Sequence, residues 1–177
     1  DSAGNISLVN SLDYETAASY TLTLNVSDGV NTTSSDLIIT VDDVNEAPSL
    51  LNTLAASSFA ENVSTGIIIA TASASDPESQ AITYSLSGTG SEYFAIDSSG
   101  NVTLAAGLDY ETATSYTLTL NASDGVNTTS SDLIITVDDV NEAPSLSNTL
   151  AASSFAENIA TGTTIATASA SDPESQT

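Results

Sequence analysis

Carboxylates recur along this chain at spacings that suit a metal cation. Four pairs stand two residues apart: Asp13/Glu15, Asp76/Glu78, Asp109/Glu111 and Asp172/Glu174. Between them lie Glu61, Asp124 and two short runs, Asp43-Val44-Asn45-Glu46 and Asp139-Val140-Asn141-Glu142. Lys, Arg, His and Cys are all absent, so 13% charged residues give a formal charge of −23. Clustered carboxylates repel, and the chain has no side-chain cation to offset them. Oxygen-only donors favour a hard cation such as calcium, which takes six to eight oxygens at about 2.3–2.6 Å. On extended backbone, residues i and i+2 share a side, so each pair offers two oxygens to one ion.

The same composition excludes several functions. Electrostatic binding to nucleic acid relies on Lys and Arg, and so does attraction to an anionic membrane surface. The longest apolar run, Ile67-Ile68-Ile69-Ala70, is far too short to span a bilayer, so no membrane insertion is expected. Without Cys or Lys, neither a disulfide nor a Lys isopeptide can staple the fold, and metal remains. Paired carboxylates also serve glycoside hydrolysis. Here, however, they are spread over many repeated clusters, no His or Cys is present, and the serines lack an activating partner. No enzymatic activity is expected.

These acids are placed by a repeat of 96 residues. Leu12-Asp13-Tyr14-Glu15-Thr16 returns as Leu108-Asp109-Tyr110-Glu111-Thr112, and Asp43–Pro48 returns as Asp139–Pro144. Between residues 1–81 and 97–177 about four positions in five are identical, which marks a tandem array. If the Pro after each Asn-Glu-Ala opens a unit, 48–143 is one complete domain. Residues 1–47 then end the preceding unit, and 144–177 begin the next.

Local patterning is that of β-strands. Tyr116, Leu118, Leu120 and Ala122 alternate with Thr117, Thr119 and Asn121; Leu133, Ile135 and Val137 alternate likewise, as do Ile82, Tyr84 and Leu86. Turn signals stand at Ser98-Ser99-Gly100-Asn101, Asp124-Gly125 and Gly88-Thr89-Gly90. About seven short strands in each unit predict an all-β, immunoglobulin-like sandwich. Phe94, Tyr84, Tyr93, Tyr110 and Tyr116 are expected to supply the bulk of its core. One sandwich cannot gather all the acid clusters at one end, so they must divide between its poles and meet across junctions. Asp124 before Gly125 and Asp76-Pro77-Glu78 also read as turn residues. Glu92, Asp97, Asp132 and Asp138 belong to no cluster and are expected to be solvated surface groups.

The order of these motifs resembles a cadherin repeat of the bacterial type. The markers are Phe59-Ala60-Glu61-Asn62, Ala74-Ser75-Asp76-Pro77-Glu78, Leu108-Asp109-Tyr110-Glu111, Ala122-Ser123-Asp124-Gly125 and Asp139-Val140-Asn141-Glu142. The resemblance implies tandem seven-stranded Greek-key sandwiches joined end to end by linkers that bind Ca2+. In that family the first, third and fifth motifs sit at the base of one domain, the second and fourth at the top of the next, around three ions. Carried over, the first junction would use Asp13, Glu15, Asp43, Asn45 and Glu46 from below, and Asp76, Glu78 and Asp124 from above. The second would use Glu61, Asp109, Glu111, Asp139, Asn141 and Glu142, closed by Asp172 and Glu174. The family's linker, Asp-x-Asn-Asp-Asn-x-Pro, is one residue shorter here, and its Asp-x-Asp is Asp-Pro-Glu. Two or three ions per junction are therefore expected.

Together these readings imply a calcium-rigidified spacer of a secreted bacterial surface adhesin, located outside the cell. Its partners would be calcium ions and the adjacent repeats of the same chain. A self-assembling extracellular filament, in which copies of the chain pack together, is the alternative.

Overall fold

The computed structural model describes residues 4–52, 57–146 and 153–174, so parts of both flanking units lie outside the described residues. In the first flanking unit, β1 (Ser19–Ser27) and β2 (Thr32–Thr40) form an antiparallel hairpin. The central unit then runs through β3 (Ser49–Leu50), β4 (Ser57–Ala60), β5 (Ile68–Thr71), β6 (Ala74–Ser75) and β7 (Thr83–Ser87). It continues, after a 3₁₀ turn at Ser91–Tyr93, through β8 (Phe94–Ile96), β9 (Asn101–Leu104), β10 (Ser115–Ser123) and β11 (Thr128–Asp138). In the third unit β12 (Ser145–Leu146) pairs with β13 (Ala170–Ser171), repeating the pairing of β3 with β6.

Two sheets make the central sandwich. One has four strands in the order β4-β11-β10-β7, with β4 parallel to β11 and the rest antiparallel. The other has three, β5-β9-β8. The period-2 alternation in β10 and β11 turns Tyr116, Leu118, Leu120, Ala122, Leu133, Ile135 and Val137 inward, and all are buried. From the opposite sheet come Ile69, Phe94, Val102 and Leu104. Phe94 meets Tyr116 edge-on at 5.4 Å between ring centroids, and Tyr93 lies against the same ring. The aromatic core is smaller than the sequence suggests. Tyr84 is half-buried and stands outside the core cluster, and the largest fully buried side chains are Leu and Ile.

The topology divides the loops between two poles. At one, β4 and β11 end together, Ala60 opposite Asp138, beside the loop that enters β10. At the other lie the β10–β11 turn, the start of β7 and the turn after β6.

Candidate metal centres

Glu61 is the anchor of the first pole. It follows β4, where its N–H extends the ladder to the Asp138 carbonyl at 3.1 Å. Its side chain is buried: one carboxylate oxygen accepts the Tyr110 N–H and the other the Val140 N–H, both at 2.7 Å. One carboxylate thus ties together the end of β4, the loop before β10 and the linker after β11. Asp109 shapes the loop by accepting the Thr112 N–H at 3.1 Å and the Thr112 hydroxyl at 2.9 Å. Buried Leu108 pins the same loop to the core. As a result, oxygens of Glu61, Asp109 and Glu111 lie within 4.8 Å of one another. Glu111 holds its proton above the usual carboxylate range, first through desolvation and then through the like charges of Glu61, Asp139 and Glu174.

The paired acids sit on turns, where the sequence reading placed them on extended backbone. Asp109 opens a turn closed by Ala113 N–H to Asp109 carbonyl at 2.9 Å. Asp76 opens another, accepting the Gln80 N–H at 2.9 Å, with Pro77 fixing φ and Ser79 at φ 61°. The short polar side chain of Asp satisfies turn N–H groups, so its local bonding outweighs strand geometry. The turn reading of Asp76-Pro77-Glu78 and the clustering of Glu78 therefore hold together.

Across the second junction, Glu142 reaches the next unit. Its N–H donates to a Glu174 carboxylate oxygen at 2.7 Å, and Glu111, Glu142 and Glu174 form a second triple within 4.8 Å. The Glu174 carboxyl beside it raises the pKa of Glu142 to about 7, helped by desolvation and by the charge of Glu61. The same contact holds Glu174 at about 2. The first junction repeats the arrangement with Glu15, Glu46 and Glu78. There the Glu46 N–H meets Glu78 at 3.3 Å, Glu46 is raised to about 7 by its bond to Glu78, and Glu78 is lowered by the same bond.

Other predicted residues stand beside these triples. Asp13 and Asp139 act on them through space, Asp13 on Glu46 and Asp139 on Glu111. Asp172 bonds Glu174. Asp43 is exposed and joins no triple among the described residues. Asn141 folds its amide back onto the Glu142 carbonyl at 2.7 Å. Asp124 accepts the Asn45 amide N–H at 2.8 Å and lies outside the three triples found among the described residues. Gln80 and Asn127 escaped notice in the sequence: Gln80 donates to the Asn45 amide oxygen, and Asn127 to the Asn45 carbonyl at 3.1 Å. The return of Gln80 at position 176 was the available signal. The four unclustered acids remain exposed, yet Asp97 caps the Ser98–Asn101 turn and Asp138 accepts the Ser58 hydroxyl.

These residues fit a hard cation. Asp76 Oδ2, Glu78 Oε2, Glu142 Oε2 and Glu174 Oε2 are buried without a hydrogen-bond partner. A buried, unsatisfied carboxylate oxygen is costly, and a carboxyl pair facing across a junction adds repulsion. A divalent cation relieves both, and the donors are oxygens throughout.

Sandwich, poles and acid clusters define a β-sandwich domain that carries groups of carboxylates at its ends. The cadherin-domain family matches residues 56–138, and the central unit is a cadherin domain. Similar proteins include Cadherin-23 of Homo sapiens, 35% identical over 92% of this chain, and the protocadherin-like wing polarity protein stan of Drosophila melanogaster, 34% identical over 97%. The chain spans 5% of the length of each. Among solved structures, mouse cadherin-23 domains EC22–24 superpose with a TM-score of 0.60 at 26% identity, covering 93% of this chain and 56% of that one. Protocadherin gamma B2 extracellular domains 1–5 give 0.60 at 26%, covering 92% and 33%. Cadherin domains bind calcium and work outside the cell or at its surface, which is where this chain belongs. The relatives named here are animal proteins and lend no support to a bacterial source.

Proposed function

We propose that calcium ions seated in the acidic triples lock successive cadherin units end to end, making the chain a stiffened spacer of a surface adhesin. Units of 1–47, 48–143 and 144–177 would meet at the two linkers that precede Pro48 and Pro144. The Glu142–Glu174 contact carries this reading, because carboxyls from two successive units face each other and each keeps a buried oxygen without a partner. Each triple would hold one ion, with Asp13, Asp43 and Asp76 beside the first junction and Asp139, Asn141 and Asp172 beside the second. Bound calcium supplies the positive charge that the sequence lacks. Glu61 positions the loop and linker backbones, and Glu46 and Glu142 reach across to the next unit. Near-identity of the repeats suits a spacer, since a recognition module is usually a single distinct domain. The bacterial assignment rests on the sequence resemblance alone.

Small-angle X-ray scattering with calcium and then with excess chelator tests the proposal. A rigid, elongated monomer that becomes flexible on chelation is the expected result. An unchanged scattering curve would sink it, and calcium-dependent growth into long assemblies would favour a filament.

A further inference from the structure

We propose that the central unit carries tension along the array, and that the seam between β4 and β11 is the part that resists it. The chain enters the unit just before β3 and β4 and leaves it just after β11. β4 and β11 are neighbours in one sheet and run parallel. A pull from the flanking units therefore acts on the leading end of β4 and the trailing end of β11, which are opposite ends of the seam. Force applied that way slides the two strands past each other, and all pairs of the seam resist together. A hairpin pulled at its two adjacent ends opens one pair at a time, and each bond alone is weak. β3 meets the pull first but holds two register pairs, Ser49 with Ser75 and Leu50 with Ala74. Strands β5 to β10 lie between the two loaded strands in sequence, so they bear no tension while the seam holds.

Side chains reinforce the seam beyond its register pairs, which run from Ile135 with Ser57 to Asp138 with Ala60. The Thr136 hydroxyl donates to the Ser57 carbonyl at 3.1 Å, and the Ser58 hydroxyl donates to the Asp138 carboxylate. Past the last pair, the Glu61 N–H reaches the Asp138 carbonyl at 3.1 Å, and the Glu61 carboxylate accepts the Val140 N–H at 2.7 Å. The bonds thus continue to the point where the chain leaves the unit. On the inward side Ile135 and Val137 are buried, and Phe59 packs against the same core. Asp138, which joins no acidic triple among the described residues, gains a role here.

The same sheet offers a matched control. Across β7 and β10 the Thr83 hydroxyl donates to the Ser123 carbonyl at 3.2 Å and the Ser87 hydroxyl to the Thr119 carbonyl at 3.4 Å. These bonds are of the same kind, on strands that tension does not load.

The inference rests on the spacer reading in that a spacer is pulled from end to end; the seam itself follows from strand order. The test holds the whole chain by its two ends in magnetic tweezers at constant force, in excess chelator, so that no ion bridges Glu61 to the linker. Wild type is expected to release a main step of roughly 280 Å, about eighty residues at about 3.4 Å each. Ser58→Ala with Thr136→Val should raise the unfolding rate under force about tenfold, the effect of losing two ordinary hydrogen bonds. Thr83→Val with Ser87→Ala should stay within about twofold under force, while urea unfolding sets the two pairs on one scale of stability. A seam pair that unfolds under force no faster than the control pair would overturn the proposal. So would wild-type release in several comparable steps, because inner strands would then yield before the seam. Scattering that calcium leaves unchanged would end the spacer reading, and these rates would still decide the seam.

Discussion

The chain contains one β-hairpin twice, in two different surroundings. β1–β2 and β10–β11 share the sequences Ser-Tyr-Thr-Leu-Thr-Leu-Asn and Thr-Thr-Ser-Ser-Asp-Leu-Ile-Ile-Thr, and their registers match pair for pair, Leu22 with Leu37 and Leu118 with Leu133. Yet Leu22 is 43% exposed and Leu24 49%, while Leu118 and Leu120 are fully buried. Pairing is therefore local, written into the alternation and the Asp-Gly turn. Burial comes from the strands β5, β8 and β9, which have no counterpart over β1–β2 among the described residues. A cadherin unit draws its hairpin from adjacent sequence and its stability from strands far along the chain.

The largest expected effect breaks this comparison at its centre. Leu118→Ala should cost about 2–5 kcal/mol in the unfolding of the central unit, since it leaves a cavity under a well-packed sheet. Leu22→Ala should cost less than about 0.5 kcal/mol, as surface substitutions do. Urea unfolding of each variant, followed by tyrosine fluorescence, would measure the difference. Equal costs would mean that burial is not what separates the two hairpins.

Calcium removal comes next. At about one hundred times the dissociation constant, a bound ion stabilises the folded state by roughly 2.7 kcal/mol. For a domain of this size, each 1 kcal/mol shifts the melting temperature by about 4–8 °C. Chelation should therefore lower the melting of the central unit by roughly 10–20 °C for each such ion lost. Thermal melts followed by circular dichroism, with and without chelator, check this. Glu61→Gln should remove part of the shift and should also lower the metal-free melt, because it weakens the grip on Tyr110 and Val140.

A glycine pair sharpens the comparison at the level of a single turn. Gly100 and its counterpart Gly4 both have positive φ, 81° and 83°. A Cβ on Gly100 would lie 2.4 Å from the Ala72 carbonyl oxygen, where Ala72 already donates to Gly100 at 2.8 Å; a Cβ on Gly4 would meet nothing within 4 Å. Gly100→Ala should cost about 1–3 kcal/mol from left-handed strain, with the backbone clash pushing toward the upper end. Gly4→Ala should cost less than about 1 kcal/mol, because its open loop can relax. The same melts would show both.

These contrasts explain what the sequence could and could not reveal. The strands, their inward faces and the acids at Glu61, Glu111, Glu142 and Glu174 were legible, because period-2 alternation and a 96-residue repeat leave marks in the order of residues. Two points were not. The Asp109/Glu111 pair lies on a turn, since Asp109 spends oxygens on the N–H and hydroxyl of Thr112, and spacing alone cannot distinguish that from a strand; at Asp76 the following Pro77 had marked the turn. The gathering of Gln80 and Asn127 around Asn45 joins residues far apart in sequence, and a neutral amide carries no charge pattern to reveal it.

The smallest effect is one of pH, and it separates the junctions from the cores. In the metal-free chain Glu46 and Glu142 titrate at about 7, against 4.5 for an ordinary Glu. A raised folded pKa means that the folded junction binds its proton more tightly than the unfolded chain does. This contribution is complete below about pH 4.5 and disappears as pH rises through about 7. Glu174, held at about 2, contributes in the opposite sense: its share is present above about 4.5 and is lost only as pH falls toward 2. In chelator, contact between units should therefore loosen as pH rises through about 7, because both carboxyls of each pair then carry charge. Calcium must displace the shared proton, so its affinity should rise over the same interval. Calorimetry at pH 6.5 in buffers of different ionisation heat should show net proton release on binding, and Glu142→Gln with Glu46→Gln should sharply reduce it, leaving the share of Glu111. The Leu118 core should not register in that measurement. Proton release that survives both substitutions undiminished would place the titrating groups outside the two facing pairs.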